Sequence, residues 1–459
     1  MKNPLLVPEL REYIANNNIK ELKTFCESGS PPVIADFLSA LTPNEVWEAL
    51  RYVSPIVRAE IFSYLDEYVQ VEMADTLKRE DLARILSDMS SDDRVDLLKR
   101  MPEDRREYII PAMAQAERED IRRLSAYQEG TAGAVMTSEY ATLGPHLTAR
   151  EAIDRLRREA PNKETIYYAY VVDESRKLVG YVSLKDLILA KPEARIQDIL
   201  HNEVVFVHTI DDQEDAARKL QKYDLIALPV IDSSDALVGI ITHDDAIDII
   251  TQEHTEDMEK MMAISGAHES GVYLKTPAWV HFKNRAYWIV GLAAMGLISG
   301  LIIHSFESSL MNLMILAFYM PMIADTGGHT GSQSATVVVR ALALKEITPK
   351  DARLILLKEF KVGILLALIL AILSWGKVMF LSDQTGIPAG YSINMIGLVI
   401  AIALGIQAIT ATLVGAILPI VAVKFGLDPA IVASPALTTI VDITGLTIYF
   451  TTAKLLLNV

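Results

Sequence analysis

The sequence predicts a multidomain membrane protein: an all-α superhelical N domain, an α/β tandem pair, a connecting helix, and a five-helix α transmembrane domain. Three observations carry that reading. Apolar residues concentrate after about residue 285 while most of the charge lies before it, residues 171–188 reappear at 230–247, and short amphipathic segments fill the first 130 residues. A chain of 459 residues has room for about three units at roughly 100 to 200 residues each.

Residues 1–130 form the first unit. Stretches such as Val57–Leu65 and Asp81–Leu86 repeat apolar residues at helical spacing, and polar turns such as Ser90-Ser91-Asp92-Asp93 supply N-caps. Short helices of this kind bury their apolar stripes by stacking into a superhelix. The N-terminal sequence lacks the apolar run and small-residue cleavage site of a signal peptide, so this part is expected in the cytosol. The single cysteine, Cys26, excludes an intramolecular disulfide and a Cys-based zinc site.

Residues 131–250 carry the repeat. VVDESRKLVGYVSLKDLI aligns without a gap on VIDSSDALVGIITHDDAI at an offset of 59 residues. Each copy reads as strand, polar turn, strand, and a helix opening near Asp186 or Asp245. Residues 245–276 hold a connecting segment that opens as a continuous helix. On it Asp244, Asp245, Asp248, Glu253, Glu256, Asp257 and Glu259 crowd together, and like charges at helical spacing repel. Asp211, Asp212, Glu214 and Asp224 in the second copy, with Asp92 and Asp96 in the N domain, are candidate partner surfaces that a cation could bridge. Net charge is −16, which argues against nucleic acid as a partner.

Residues 277–459 form the membrane block, with spans expected at about 286–303, 309–338, 360–382, 392–423 and 429–453. Arg340, Lys345, Lys350, Arg353, Lys358 and Lys361 lie between spans two and three, whereas the loop after span one has no Lys or Arg. The N-terminus is therefore cytosolic and, with five spans, the C-terminus lies outside. Two polar intrusions stand out. Asp442 in span five is costly in lipid unless it faces water or a partner. Asp325-Thr-Gly-Gly-His-Thr-Gly-Ser-Gln interrupts span two, and Asp325, Gly327, Gly328, His329, Gly331 and Gln333 are pore-lining candidates, with helix packing by small residues as the alternative. No second histidine at ligand spacing accompanies His329 in the spans, which argues against a zinc site.

This order of parts, with Gly-Gly-x-x-Gly-x-Gln in span two and an aspartate in span five, resembles the MgtE family of magnesium channels over nearly the whole chain. The repeat resembles a tandem CBS pair. The resemblance implies a homodimer in the cell inner membrane, with Asp442 as the ion-selecting carboxylate flanked by Pro435 and Gly445, and Asp428 as a further cation position. It implies Mg2+ as both transported and regulatory ion, and a connecting helix that plugs the pore when cytosolic Mg2+ is plentiful. Sensing ligands then fall on Glu60, Asp92, Asp96, Asp212, Glu214, Asp224, Asp245, Asp248, Glu253, Glu256 and Asp257; ATP at the CBS pair is left open. This sequence departs from the family at His329 and Ser434, where Asn is usual. A membrane-anchored nucleotide sensor and a carrier for Co2+ or Mn2+ are the rival readings. No nucleophile–base pair or Walker A loop supports an enzyme.

Overall fold

The computed structural model describes residues 4–266, 273–274, 276–381, 387, 390–432 and 435–457. It divides into two compact units, Met1–Glu253 and His254–Val459.

In the first unit ten short helices, α1 to α10, run between Val7 and Leu124. Prolines and caps set their lengths. Pro31, Pro43 and Pro55 each occupy a first turn, where the missing N–H has no intrahelical partner to lose, and Thr42 with Glu45 closes a capping box. Their apolar stripes meet in one core that includes Leu38, Leu50, Phe62, Met73, Leu82 and Leu86, all fully buried. One of these helices, α8 (Ser91–Arg100), is tied at its start to the segment that precedes the repeat: Ser138 N donates to Ser91 Oγ at 2.9 Å, and Ser91 Oγ meets Thr137 Oγ1 at 3.0 Å.

The repeat folds as two matching three-stranded sheets. β1 (Tyr140–Leu143) runs parallel to β2 (Thr165–Val172), which pairs antiparallel with β3 (Leu178–Ser183); β4 (Val207–His208), β5 (Ala227–Ile231) and β6 (Leu237–Thr242) repeat the pattern. The turns match as well. Arg176 and Asp235 both take left-handed backbone angles, φ 62° and 64°, and the two turns pair through Leu237 N to Arg176 O at 3.0 Å. Each copy launches a helix from a side-chain cap. Ser183 and Asp186 start α12 (Leu184–Leu189), and Thr242 with Asp245 starts α15 (His243–Met261). Between them α14 (Gln213–Lys222) is capped by Asp212, whose Oδ1 accepts from Glu214 N at 2.8 Å.

The second unit contains five long helices among the described residues: α16 (Ala278–Ser305), α18 (Met320–Ala343), α19 (Ala352–Leu381), α20 (Ile393–Lys424) and α21 (Pro435–Leu457). Helices beginning at Ala278, Pro349, Ile393 and Ala436 are long and apolar enough to cross a bilayer; α18 is long, but its polar Asp325–Ser334 stretch lowers its hydropathy. The expected span two divides into α17 (Glu307–Asn312), a 3₁₀ segment Met314–Tyr319 and α18, because Pro321 fits a helix start and not a helix interior. Span five divides likewise into a 3₁₀ turn, Pro429–Val432, and α21. The core lies between α18, α20 and α21, with Tyr449 and Phe450 fully buried and Tyr449 OH donating to Leu316 O at 2.8 Å. α16 has no buried residue although its apolar side chains run its full length, which in water would be a costly exposed surface.

Candidate cation sites

The first unit gathers carboxylates from three separate elements. α8 contributes Asp92 and Asp93, the segment before β2 contributes Glu164, and the start of α15 contributes Asp244 and Asp245. Burial pushes the Asp92 carboxyl well above the usual range, and the charges of Asp245, Asp93 and Glu164 push it further. One of its oxygens, Oδ1, is buried without a hydrogen-bond partner. Asp245 is raised to about 6, by burial first and by Asp244 and Asp93 after it, against the opposing hydrogen bond from Thr242. Glu164 still reaches solvent, yet crowding by protein and the charges of Asp245, Glu139, Asp244 and Asp93 raise it to about 7. These shifts have two causes acting together: loss of hydration disfavours the ionised forms, and neighbouring carboxylates repel them.

Other sequence-predicted ligands in this unit have structural roles of their own. Glu60 is exposed and one turn from Tyr64, which feels the charges of Asp244, Asp93, Glu164 and Glu60. Asp96 is raised by burial and partly offset by Lys99 at 3.8 Å. Asp248 is raised by burial, then by Asp244 and Asp93. Asp212 caps α14, Glu214 pairs with Arg218, and Asp224 is exposed with φ 49°. Glu253 accepts from Gln213 Nε2 at 2.6 Å, which ties α15 to the capped end of α14.

At the other end of α15, Lys260 Nζ lies 2.8 Å from Glu256 Oε1 and 2.8 Å from Asp428 Oδ2. The other Asp428 oxygen accepts from Ala430 N at 2.8 Å. Asp257 is raised by burial and then by the Asp428 charge, with Lys260 lowering it.

In the membrane helices the polar stretch of α18 splits by face. Gly327, Gly328 and Gly331 are buried, whereas Asp325, His329 and Gln333 are exposed on the opposite side. His329 Nε2 lies 3.4 Å from Asp325 Oδ1. The glycines lie on the packed face: a Cβ on Gly331 would meet Ala411 O at 3.2 Å and Val441 at 3.3 Å, and one on Gly415 would strike Gly331 O. Gln407 of α20 is fully buried, donates from Nε2 to Val441 O at 2.9 Å, and fills the space left by Gly445, where a Cβ would lie 2.6 Å from it. Asp442 follows Val441 and is half-buried; among the described residues nothing donates a hydrogen bond to it. Pro435 begins α21, and Ser434 lies outside the described residues.

Sequence reasoning missed Glu164, Lys260 and Gln407. Glu164 has no local signature, since it joins the cluster through the fold. Gln407 was visible as an isolated amide in an apolar span. Among the described residues, no three His, Cys, Asp or Glu groups converge closely enough to ligate one ion directly. The donor set is all carboxylate, which suits a hard cation that keeps its water.

Comparison with known proteins agrees with this architecture. The family described as "Divalent cation transporter" matches residues 320–452, its intracellular N domain matches 30–130, and CBS domains match 132–193 and 196–252. The magnesium transporter MgtE of Thermus thermophilus is 41% identical over 339 residues, 74% of this chain and 73% of that protein. The Bacillus subtilis MgtE is 37% identical, covering 72% and 70% respectively. A crystal structure of the soluble part of a magnesium transporter is 33% identical with a TM-score of 0.52, covering 54% of this chain and 97% of that one.

Proposed function

Because the chain belongs to the MgtE family of divalent cation transporters, we propose that it is a Mg2+-selective channel for magnesium uptake that cytosolic Mg2+ closes. The observation that carries the permeation half is Asp442: a carboxylate in an apolar helix, without a donor, is stable there beside hydrated cations. Asp325, His329 and Gln333 extend a polar face along α18 that suits the same wet path. A second copy of the chain completes the pore, a reading supported by α16, which buries nothing within one chain.

The gating half rests on the like-charge cluster of Asp92, Asp93, Glu164, Asp244 and Asp245. Asp92, with its unpartnered buried oxygen, suits a cation, and the carboxylates would hold hydrated Mg2+ through its waters. A cation that binds the packed arrangement better than the loosened one shifts the population toward closure. Membership of the family places the protein in a membrane; the bacterial inner membrane with the N-terminus inside is the orientation favoured by the Lys and Arg between α18 and α19. ATP at the CBS pair is a separate expectation, tested by nucleotide titration of the purified protein.

The test is fluorescent Mg2+ uptake into proteoliposomes, with Co2+ and Mn2+ as competitors and Mg2+ clamped on the cytosolic side. Uptake that rises as cytosolic Mg2+ is removed supports the proposal. No uptake by the parent protein leaves the anchored-sensor reading in its place.

A further inference from the structure

We infer that Lys260 is a tethered counter-ion occupying the cation position between Asp428 and Glu256, so that a divalent cation binding there must displace its ammonium. The inference deepens the gating half of the proposed function and rests on that reading. It follows from how the carboxylates are held. Asp428 Oδ1 is engaged by Ala430 N, so Oδ2 is the oxygen left for a cation, and Lys260 Nζ takes it at 2.8 Å. The same ammonium donates to a second carboxylate, Glu256 Oε1, at 2.8 Å, and its charge lowers the Asp257 carboxyl.

The lysine is not a loose surface pair. Its side chain is 28% exposed and that of Asp428 29%. The next residue, Met261, packs against the apolar cluster of Ala335, Val339, Ala411, Ala430, Leu437 and Val441, which anchors the end of α15 beside Asp428. Ala263 then ends the helix with φ 54°, and Ser265 N donates to Asn284 O at 2.9 Å. The ammonium is thus delivered to Asp428 by packing.

Two cations cannot share this position. An ammonium and a divalent ion a few ångströms apart repel, and both need Asp428 Oδ2. Lys260 therefore neutralises the carboxylates while metal is scarce and competes with metal when it is plentiful. It sets the concentration at which this end of α15 becomes cation-locked. Lysine suits the task because its flexible stem lets the charge swing to solvent once displaced.

The direct test is amine acylation of the purified full-length protein, read residue by residue by mass spectrometry, with Mg2+ alone as the probe. An ammonium held by two carboxylates reacts slowly; Mg2+ should raise the rate at Lys260 several-fold, an effect that Asp428→Asn removes. In equilibrium Mg2+ titrations, Lys260→Met should lower the half-saturating concentration by roughly tenfold, and Lys260→Arg should leave it near the parent value. Mg2+ that leaves Lys260 reactivity unchanged or slows it, or a Lys260→Met protein that binds Mg2+ no better than the parent, overturns the inference. Neither readout depends on ion flux, so a failure of transport and a failure of this assignment are separable.

Discussion

The two units handle carboxylate charge in opposite ways. In the first unit Asp92, Asp93, Glu164 and Asp245 are brought together with little to neutralise them, and their carboxyls rise accordingly. In the second unit most carboxylates arrive with a partner: Glu359 accepts from Ser334 Oγ at 2.8 Å, Asp325 has His329, and Asp428 has Lys260 and Ala430 N. Asp442 accepts no hydrogen bond among the described residues. Carboxylates crowded without counter-charges gain from an added cation, whereas charges already paired gain less. Under the proposed function the first arrangement suits sensing and the second suits a path for ions.

Substitution at Asp442 gives the sharpest break between the two. Asp442→Asn should cut Mg2+ uptake into proteoliposomes by about a hundredfold, while Mg2+-dependent stabilisation of the first unit against proteolysis stays at the parent level. Equal loss of both would merge the two regions into one.

Packing is next in size. Gly415→Ala drives a methyl into Gly331 O at the crossing of α18 and α20, and should destabilise the membrane unit by about 1–3 kcal/mol in denaturant unfolding. The first unit should unfold as in the parent.

A smaller effect is expected at the sensor. Asp92→Asn removes a crowded carboxylate, one oxygen of which is buried without a partner, so the metal-free protein should gain about 1 kcal/mol and its thermal midpoint should respond less to Mg2+. A larger Mg2+ response would refute stored repulsion at this cluster.

The mildest probe is pH. Glu164 and Asp245 have folded values of about 7 and 6, above their ordinary ones. The packed cluster therefore holds more protons than the unpacked chain between about pH 4.5 and 7, and its stability falls as pH rises through that window. Ser63, Ser90 and Arg100 beside Asp93, and Glu139 beside Glu164, are the other groups facing the cluster. Thermal unfolding without divalent cations should therefore give a higher midpoint at pH 5.5 than at pH 7.5, and saturating Mg2+ should flatten the difference.

Much of this molecule was legible in the chain itself, because periodicity and capping are local. The repeat at 59 residues became two sheets of one topology, Asp186 and Asp245 opened helices as their spacing required, and the apolar stretches became long helices. The candidate site was legible as residue types and less so as an arrangement. Asp212, Glu214 and Asp245 were marked by charge, and in the structure they also serve as a cap, one half of an ion pair and another cap. The glycines of α18 were marked for a pore and lie on its packed face, because a stripe of small residues reads the same whether a backbone or water approaches it.

What the chain determined alone is its solvent: acidic helices that need water, followed by helices that need lipid, with Asp442 as the charge that needs explanation. Tertiary structure decided which charges meet. Glu164 reaches Asp245 across 81 residues of sequence, and Lys260 reaches Asp428 across 168. Neither pairing has a local signature, since the free energy that fixes it comes from burying apolar surfaces elsewhere along the same elements.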